Sequence, residues 1–308
     1  MSETIAIILA IGAAVMWSIS GHIDKYLVKN SSRDAEKNIK GLLVFSSFVI
    51  GLIAFPICFA LANFNIAMSW QNILISIAAG MIYIMSTSLY LKAMKKNDAT
   101  MVVMMFQLIP VFLYIPSVVF YGESFTLRQL IGAIIILAAA IRIGISPQKG
   151  RREGKYKAML LALASVICIS IYYMMMDYVI RQESYFACLS WYQVGLITTG
   201  TIMLCMKGSR KAFRSIIKRN GKAFVGINLL NEGFNETGVV FEHVANSVLP
   251  IALVNLISGL QGAITFIIGI IGTKLSPKHF SEKIDRKTFV VKTVCILLSI
   301  VGLVLIFV

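Results

Sequence analysis

The sequence predicts an all-α integral membrane protein whose ten transmembrane helices form two inverted five-helix repeats. The observations are its composition, the length of its apolar segments and a weak likeness between its halves. Of 308 residues, 58% are hydrophobic and 14% are charged, whereas a soluble domain carries about 25% charged residues. A soluble fold of this composition would leave too much apolar surface in water, so a lipid bilayer is the environment that fits.

The apolar segments have the length of membrane-crossing helices. About 20 residues cross the ~30 Å hydrocarbon core, and backbone groups in lipid must be satisfied within their own segment, which favours helices. The first segment follows Ser2-Glu3 rather than a basic start, so we expect it to be retained and not cleaved as a signal. The predicted spans are 4–28, 40–63, 71–92, 99–120, 127–145, 156–180, 185–206, 223–244, 247–273 and 288–308.

The linker SPQKGRREGK divides the chain into a first repeat, residues 1–148, and a second, residues 149–308, of one membrane domain. A shift of 152 residues places Leu9 on Leu161, and also Ser18 on Ser170. Five crossings is an odd number, so the second repeat must enter the membrane upside down. Inverted repeats of this kind build transporters, with the substrate site near the midplane where the halves meet.

The stretch from Asn97 to Ala140 resembles the fourth and fifth helices of EamA-type members of the drug/metabolite transporter superfamily. In that family an apolar helix with a proline leads to a Gly-Glu pair and then to an LRQLIG helix. The matching residues here are Pro110, Gly122, Glu123 and Gly132. The resemblance implies a multi-pass transporter, which we expect in the plasma membrane, that moves a small metabolite or a drug-like molecule.

Two further residues support the resemblance, and two positions depart from it. Trp17 matches the usual tryptophan of the family's first helix, and Glu282 resembles Glu123 after a seven-residue insertion. The second half has no proline where Pro110 stands in the first half, and Val291 replaces Gly132.

The net charge of +15 is distributed unevenly among the connectors. Of the 29 Lys and Arg residues, 27 lie in or beside the odd-numbered connectors, and the even-numbered ones keep Arg128 and Arg181. The positive-inside rule then places both termini outside the cytoplasm. Members of the resembled family more often keep both termini inside, so the two arguments conflict, and the prediction follows the charges. No continuous basic surface is indicated, so nucleic acid is not an expected partner.

The eighth predicted span carries the polar residues that most strongly indicate a site. Its carboxylates and amides recur at helical spacing and form one stripe. An acid near mid-membrane costs roughly 2.5–3.5 kcal/mol, so the stripe should face the bundle interior or a wet cavity. A substrate or proton pathway, structural pairing with a neighbouring helix, and an interfacial segment all fit. The stripe comprises Asn228, Asn231, Glu232, Asn235 and Glu236.

Other spans supply further candidates for the same pathway. Amides can contact substrate or join helices, aromatic residues can line a cavity or pack, and histidine can relay a proton or bond a neighbour. Prolines in the fourth span should kink it, either as a gate or for packing. The candidate amides are Gln107, Asn255 and Gln261, the ring-bearing residues are Trp17, His22, Tyr83 and Tyr172, and the candidate hinges are Pro110 and Pro116.

An alternating-access transporter is the favoured function, with protons as a candidate coupling ion. An intramembrane enzyme is the alternative, but HExxH and GxSxG motifs are missing from the sequence, so no enzyme is predicted. A channel would need a ring of equivalent residues. The cysteine and histidine spacing predicts neither a metal nor another cofactor. The expected partners are the substrate and the bilayer, and a monomer and a homodimer both fit.

Overall fold

The structure, a computed structural model, describes residues 2–30, 34–113, 126–144, 152–246, 248–249, 254, 257–276, 280 and 285–307. These segments contain eleven α-helices and no strand, which confirms the predicted all-α class. The helices are α1 (Glu3–Asn30), α2 (Ala35–Val44), α3 (Ile50–Leu61), α4 (Trp70–Met94), α5 (Ala99–Met105), α6 (Leu127–Gly144), α7 (Arg152–Ile180), α8 (Tyr185–Cys205), α9 (Lys207–Asn246), α10 (Gln261–Leu275) and α11 (Arg286–Phe307).

Six described segments are long and apolar enough to cross a membrane, so the chain is a multi-pass integral membrane protein. They are Glu3–Lys29, Ala35–Leu61, Trp70–Met94, Tyr156–Ile180, Tyr185–Cys205 and Arg286–Ile306. Two shorter apolar helices, Ala99–Leu113 and Gln261–Leu275, lie in other predicted spans.

The second predicted span is divided into α2 and α3, which is why the described helices number eleven. A π-helical turn, Phe45–Val49, separates them. Gly200 of α8 meets this turn so closely that an added Cβ would lie 2.6 Å from the Cβ of Phe48. The glycine therefore allows α8 to approach the backbone of the π-turn.

The basic connector predicted between the seventh and eighth spans is helical. It continues without a break into the polar span, so that α9 has 40 residues. At 1.5 Å per residue such a helix is about 60 Å long, twice the thickness of the hydrocarbon core. Part of α9 must therefore lie outside the apolar layer.

Pro110 is preceded by a tighter helical turn in the fourth predicted span, because proline removes one backbone hydrogen bond. Proline has no N–H to bond the carbonyl of Phe106. That carbonyl instead accepts from the N–H of Ile109, and Phe106–Leu108 is a 3-10 turn. The second candidate hinge, Pro116, lies outside the described residues.

The chain divides into two compact units, and each combines segments from both sequence repeats. Unit 1 comprises Met1–Tyr26, Ala93–Leu163 and Leu229–Val308, and unit 2 comprises Leu27–Lys92 and Ala164–Asn228. In unit 1, α5, α6, α10 and α11 surround an apolar cluster of Met101, Met104, Ala139, Phe266, Cys295 and Ile296.

Unit 2 depends on close backbone contact between α4 and α8. An added Cβ at Gly195 would lie 2.1 Å from the carbonyl oxygen of Ile77, and one at Gly80 would lie 2.4 Å from that of Tyr192.

In the same unit, Asn72 and the N–H of Ser69 donate to the carboxylate of Glu183. The bond from Asn72 is the main reason why the pKa of Glu183 is lowered, so this carboxylate accepts both bonds in its ionised form.

Substituting Gly195 by alanine should destabilise the protein, because the new methyl group meets backbone that cannot move aside alone. Overpacking of this kind typically costs about 1–3 kcal/mol. Thermal unfolding of the purified protein in detergent measures the effect. Gly233→Ala is the matched control, because no atom lies within 4 Å of an added Cβ there. Equal unfolding midpoints for the two variants would contradict the close contact.

Candidate functional site

The candidate site is a polar network within unit 1 that α1 makes with two other helices. Ser18 and His22 are four residues apart on α1, and so are Ser20 and Asp24. Residues at this spacing share a helix face, so α1 presents two neighbouring polar rows. One row contacts α10 and the other contacts α9.

The row that faces α9 holds the side-chain amide of Asn231 from two sides. The Ser20 hydroxyl donates to Oδ1 of Asn231 at 2.9 Å. The Nδ2 of Asn231 donates to Oδ1 of Asp24 at 2.8 Å. Asn231 is only 6% exposed, so its hydrogen bonds to α1 stand in for contacts with water.

Trp17 extends this contact along α9. Its indole N–H donates to the backbone carbonyl of Asn235 at 3.2 Å. An added Cβ at Gly238 would lie 2.6 Å from Nε1 of Trp17. Trp17 therefore needs a glycine at position 238. Asn235, a predicted site residue, contributes its carbonyl oxygen to this bond.

The second row joins α1 to α10. The hydroxyl of Ser18 donates to the carbonyl of Gln261 at 3.2 Å and accepts from the hydroxyl of Thr265 at 3.0 Å. The Nε2 of His22 lies 2.8 Å from the carbonyl oxygen of Thr265. A carbonyl only accepts, so this contact requires the proton of His22 on Nε2. The carbonyl of Gln261 takes part in this network.

The predicted stripe of the eighth span is not one uniform surface. Asn228 belongs to unit 2, where its amide donates to the carbonyl of Phe224 at 2.7 Å and the side chain is buried. Asn231 is buried in unit 1, Glu232 is half-buried, and Glu236 is exposed. Apolar Leu229 is 43% exposed. The amides at 228 and 231 thus point into protein rather than toward open water.

Gln107 is buried in unit 1 beside the segment that precedes α10. Its Nε2 donates to the carbonyl of Gly259 at 2.8 Å. Its Oε1 has no hydrogen-bond partner among the described atoms. A buried acceptor without a partner is costly, so this oxygen is available to a donor from a water or a substrate. Asn255, the third predicted amide, lies outside the described residues.

Tyr83 and Tyr172 belong to unit 2, whereas the residues that α1 brings together belong to unit 1. With Tyr192 they form a triangle of rings, whose centroids are 5.4–5.8 Å apart. Such separations are those of packed aromatic pairs. Tyr192, which the sequence did not single out, completes this cluster.

Three charged residues of unit 1 were missing from the sequence prediction of the site: Asp24, Lys25 and Lys292. Asp24 was not considered, although its spacing from Ser20 places both on one face. Lys25 donates to the carbonyls of Met94 and Asn97. Lys25 and Lys292 were counted with the odd-numbered connectors and their flanks, and in the structure both side chains donate to groups of unit 1.

Lys292 forms the most deeply buried ion pair of the described residues. Its ammonium lies 3.1 Å from Oδ2 of Asp98, with side-chain exposures of 0% and 9%. It also lies 5.5 Å from the ring centroid of Phe266. Asp98 precedes α5, but its carboxylate bonds Lys292 and does not cap that helix.

Comparison with known proteins gives three findings. Residues 4–145 match the EamA-like transporter family. An uncharacterized transporter of Archaeoglobus fulgidus is 25% identical over 166 residues. That alignment covers 53% of this chain and 56% of the relative, so the chain matches about half of the relative's length. A solved crystal structure has a TM-score of 0.52 at 14% identity, over 99% of this chain and 98% of its own, which shows a shared fold.

Removing one member of the buried ion pair should destabilise the protein more than removing both charges. Lys292→Met leaves the Asp98 carboxylate buried without its cation, a loss that typically costs about 3–5 kcal/mol. The double variant Asp98→Asn, Lys292→Met removes both charges and should recover most of that loss. Unfolding of the single and double variants in detergent tests this. A double variant less stable than the Lys292→Met variant would show that the pair is not coupled.

Proposed function

We propose that this chain transports a small metabolite or drug-like molecule across the plasma membrane by alternating access. Its residues 4–145 match the EamA-like transporter family, which is the family that the sequence resembles. The single observation that carries the proposal is the network between α1 and α9. It joins the first sequence repeat to the second through Ser20, Asp24 and Asn231.

The proposal includes ten crossings related as two inverted repeats. The linker between residues 144 and 152 separates two groups of five predicted spans, and every predicted span overlaps a described helix. In inverted-repeat transporters one repeat moves against the other around a midplane site. Contacts between the repeats are then the ones that form and break during the cycle.

The chemistry of the network suits such exchange. Its groups are hydroxyls, an amide, a carboxylate, an indole, an imidazole and backbone carbonyls, and each bonds a group on another helix. Hydrogen bonds between membrane helices are worth about 0.6 kcal/mol on average. Bonds of that strength can be traded for bonds to a substrate or water without a large barrier. The carboxylate of Asp24 in this network favours a substrate with a cationic donor group, such as an amine.

Glu232 is the proposed coupling group. It follows Asn231 directly on α9, it is half-buried, and its span contributes no Lys or Arg between residues 223 and 244. Protonation from one side of the membrane and release to the other would bias which way the repeats open. Glu236, one turn further along the same helix, and Asp24 are the neighbouring carboxylates that could take this role instead.

The variant Glu232→Gln should lose proton-driven net flux and keep substrate exchange, because glutamine mimics the protonated state without releasing a proton. Purified protein in liposomes is first screened against pooled metabolites, and the identified substrate is then followed with and without a pH gradient.

Glu236→Gln is the matched control, because it makes the same change one helical turn away. Full pH-dependent net flux in the Glu232 variant would exclude Glu232 as the coupling group. Loss of net flux in the Glu236 variant alone would assign coupling to that residue. A protein that moves no compound in the screen would contradict the transporter proposal itself.

A further inference from the structure

The first part of α9 carries a row of basic side chains along one face. Apart from one adjacent pair, these residues recur at intervals of three and four, and at 3.6 residues per turn they fall within an arc of about 120°. The row is about 22 Å long at 1.5 Å per residue. All six side chains are exposed: Lys207, Arg210, Lys211, Arg214, Lys218 and Lys222.

The opposite face of the same segment is packed against α2 within unit 2. Ala212, Ile216 and Phe224 are buried. An added Cβ at Gly41 of α2 would lie 2.4 Å from Cδ1 of Ile216, and the ring of Phe224 meets that of Phe45 edge-on at 5.8 Å. The packing therefore fixes which face of the helix points outward.

Among the described residues, no acidic group forms an ion pair with this row. The sequence has no Asp or Glu between Glu183 and Glu232. In the described part of the chain, the ion pairs join Lys37 to Asp34, Arg181 to Asp177 and Lys292 to Asp98. The six basic residues of the row make neither an ion pair nor a hydrogen bond there.

We propose that this face of α9 binds the headgroups of anionic phospholipids in the bilayer that surrounds the protein. The row leads directly into the apolar part of α9, which is where a helix leaves the membrane and meets the headgroup layer. Clusters of four to eight Lys and Arg residues at that position attract anionic lipids, by about 1 kcal/mol for each basic residue near the surface. The long Lys and Arg side chains can reach toward the phosphates while their stems lie along the helix.

The packing of α9 against α2 also determines where a bound lipid is held. Because α9 is held through Ile216 and Phe224, lipid bound to its outer face is held in a fixed position relative to unit 2. A lipid is attracted through its headgroup, by the basic side chains, and through its acyl chains, which anchor it in the membrane beside the helix. Free phosphate has no acyl chain and would have only the first attraction. The occupant is therefore a lipid of the membrane rather than a dissolved anion.

The test uses the full-length protein in nanodiscs with equal parts of phosphatidylglycerol and phosphatidylcholine. Native mass spectrometry after release into mild detergent counts the lipids that stay bound. The wild-type protein should retain phosphatidylglycerol in preference to phosphatidylcholine. The triple variant Arg210→Gln, Lys211→Gln, Arg214→Gln should lower that preference at least tenfold, because it removes three of the charges and none of the packing.

The matched control is Lys274→Gln, Arg286→Gln, Lys287→Gln, which removes the same charge from exposed residues of α10 and α11. It should retain the wild-type preference. Equal retention by the wild type and the Arg210 triple variant, or equal loss by both triple variants, would overturn the proposal. So would tight binding of a short oligonucleotide or inorganic phosphate in phosphatidylcholine alone, with no lipid preference. An unchanged unfolding midpoint of both variants separates lost binding from lost folding.

Discussion

Polar groups that α1 carries into an apolar environment must find their partners within the protein, and this requirement organises unit 1. In lipid an unsatisfied polar group costs several kcal/mol, since water is not there to replace a lost partner. Trp17, Ser18 and His22 each bond a backbone carbonyl of another helix. The positions of α9 and α10 against α1 follow from these bonds, and Gly238 is the local adaptation that Trp17 demands.

The same requirement explains the buried charges. Lys292 would be expensive in the core of unit 1 without an anion, and Asp98 supplies one in place of capping α5. Lys25 is only half-buried and has a different solution, since it donates to the carbonyls of Met94 and Asn97. The exposed basic row of α9 is the contrasting case, because those side chains lie where headgroups and water can solvate them. A cation inside the apolar layer thus needs a partner within the protein, whereas a cation at the headgroup layer does not.

Much of this architecture follows from the sequence, since apolar length places a helix in every predicted span. The ends are less well predicted, because α9 begins at Lys207 rather than near residue 223. The polar stripe also contained Asn231, because a mid-span amide is conspicuous in any apolar segment. Its partners were not predictable, since spacing defines a helix face but not which helix packs on it. Asp24 lies 207 residues away in sequence from Asn231. The partner of Lys292 was not predictable for a related reason, since nothing near it in the sequence indicates the ion pair with Asp98. The π-turn that divides the second span packs against Gly200 of α8, and nothing local in the sequence indicates that contact.

The central claim is that the contact between α1 and α9 opens during transport, and a reversible cross-link tests it most directly. The side chains of Ser20 and Asn231 are in hydrogen-bond contact, so cysteines at both positions should form a disulfide under mild oxidation. The exposed Cys205 is first replaced by serine, so that it does not react. The cross-linked protein should lose both net flux and exchange in liposomes and regain them on reduction, while each single-cysteine protein is unaffected by oxidation. Full transport by the cross-linked protein would show that α1 and α9 stay together throughout the cycle, and would contradict the claim.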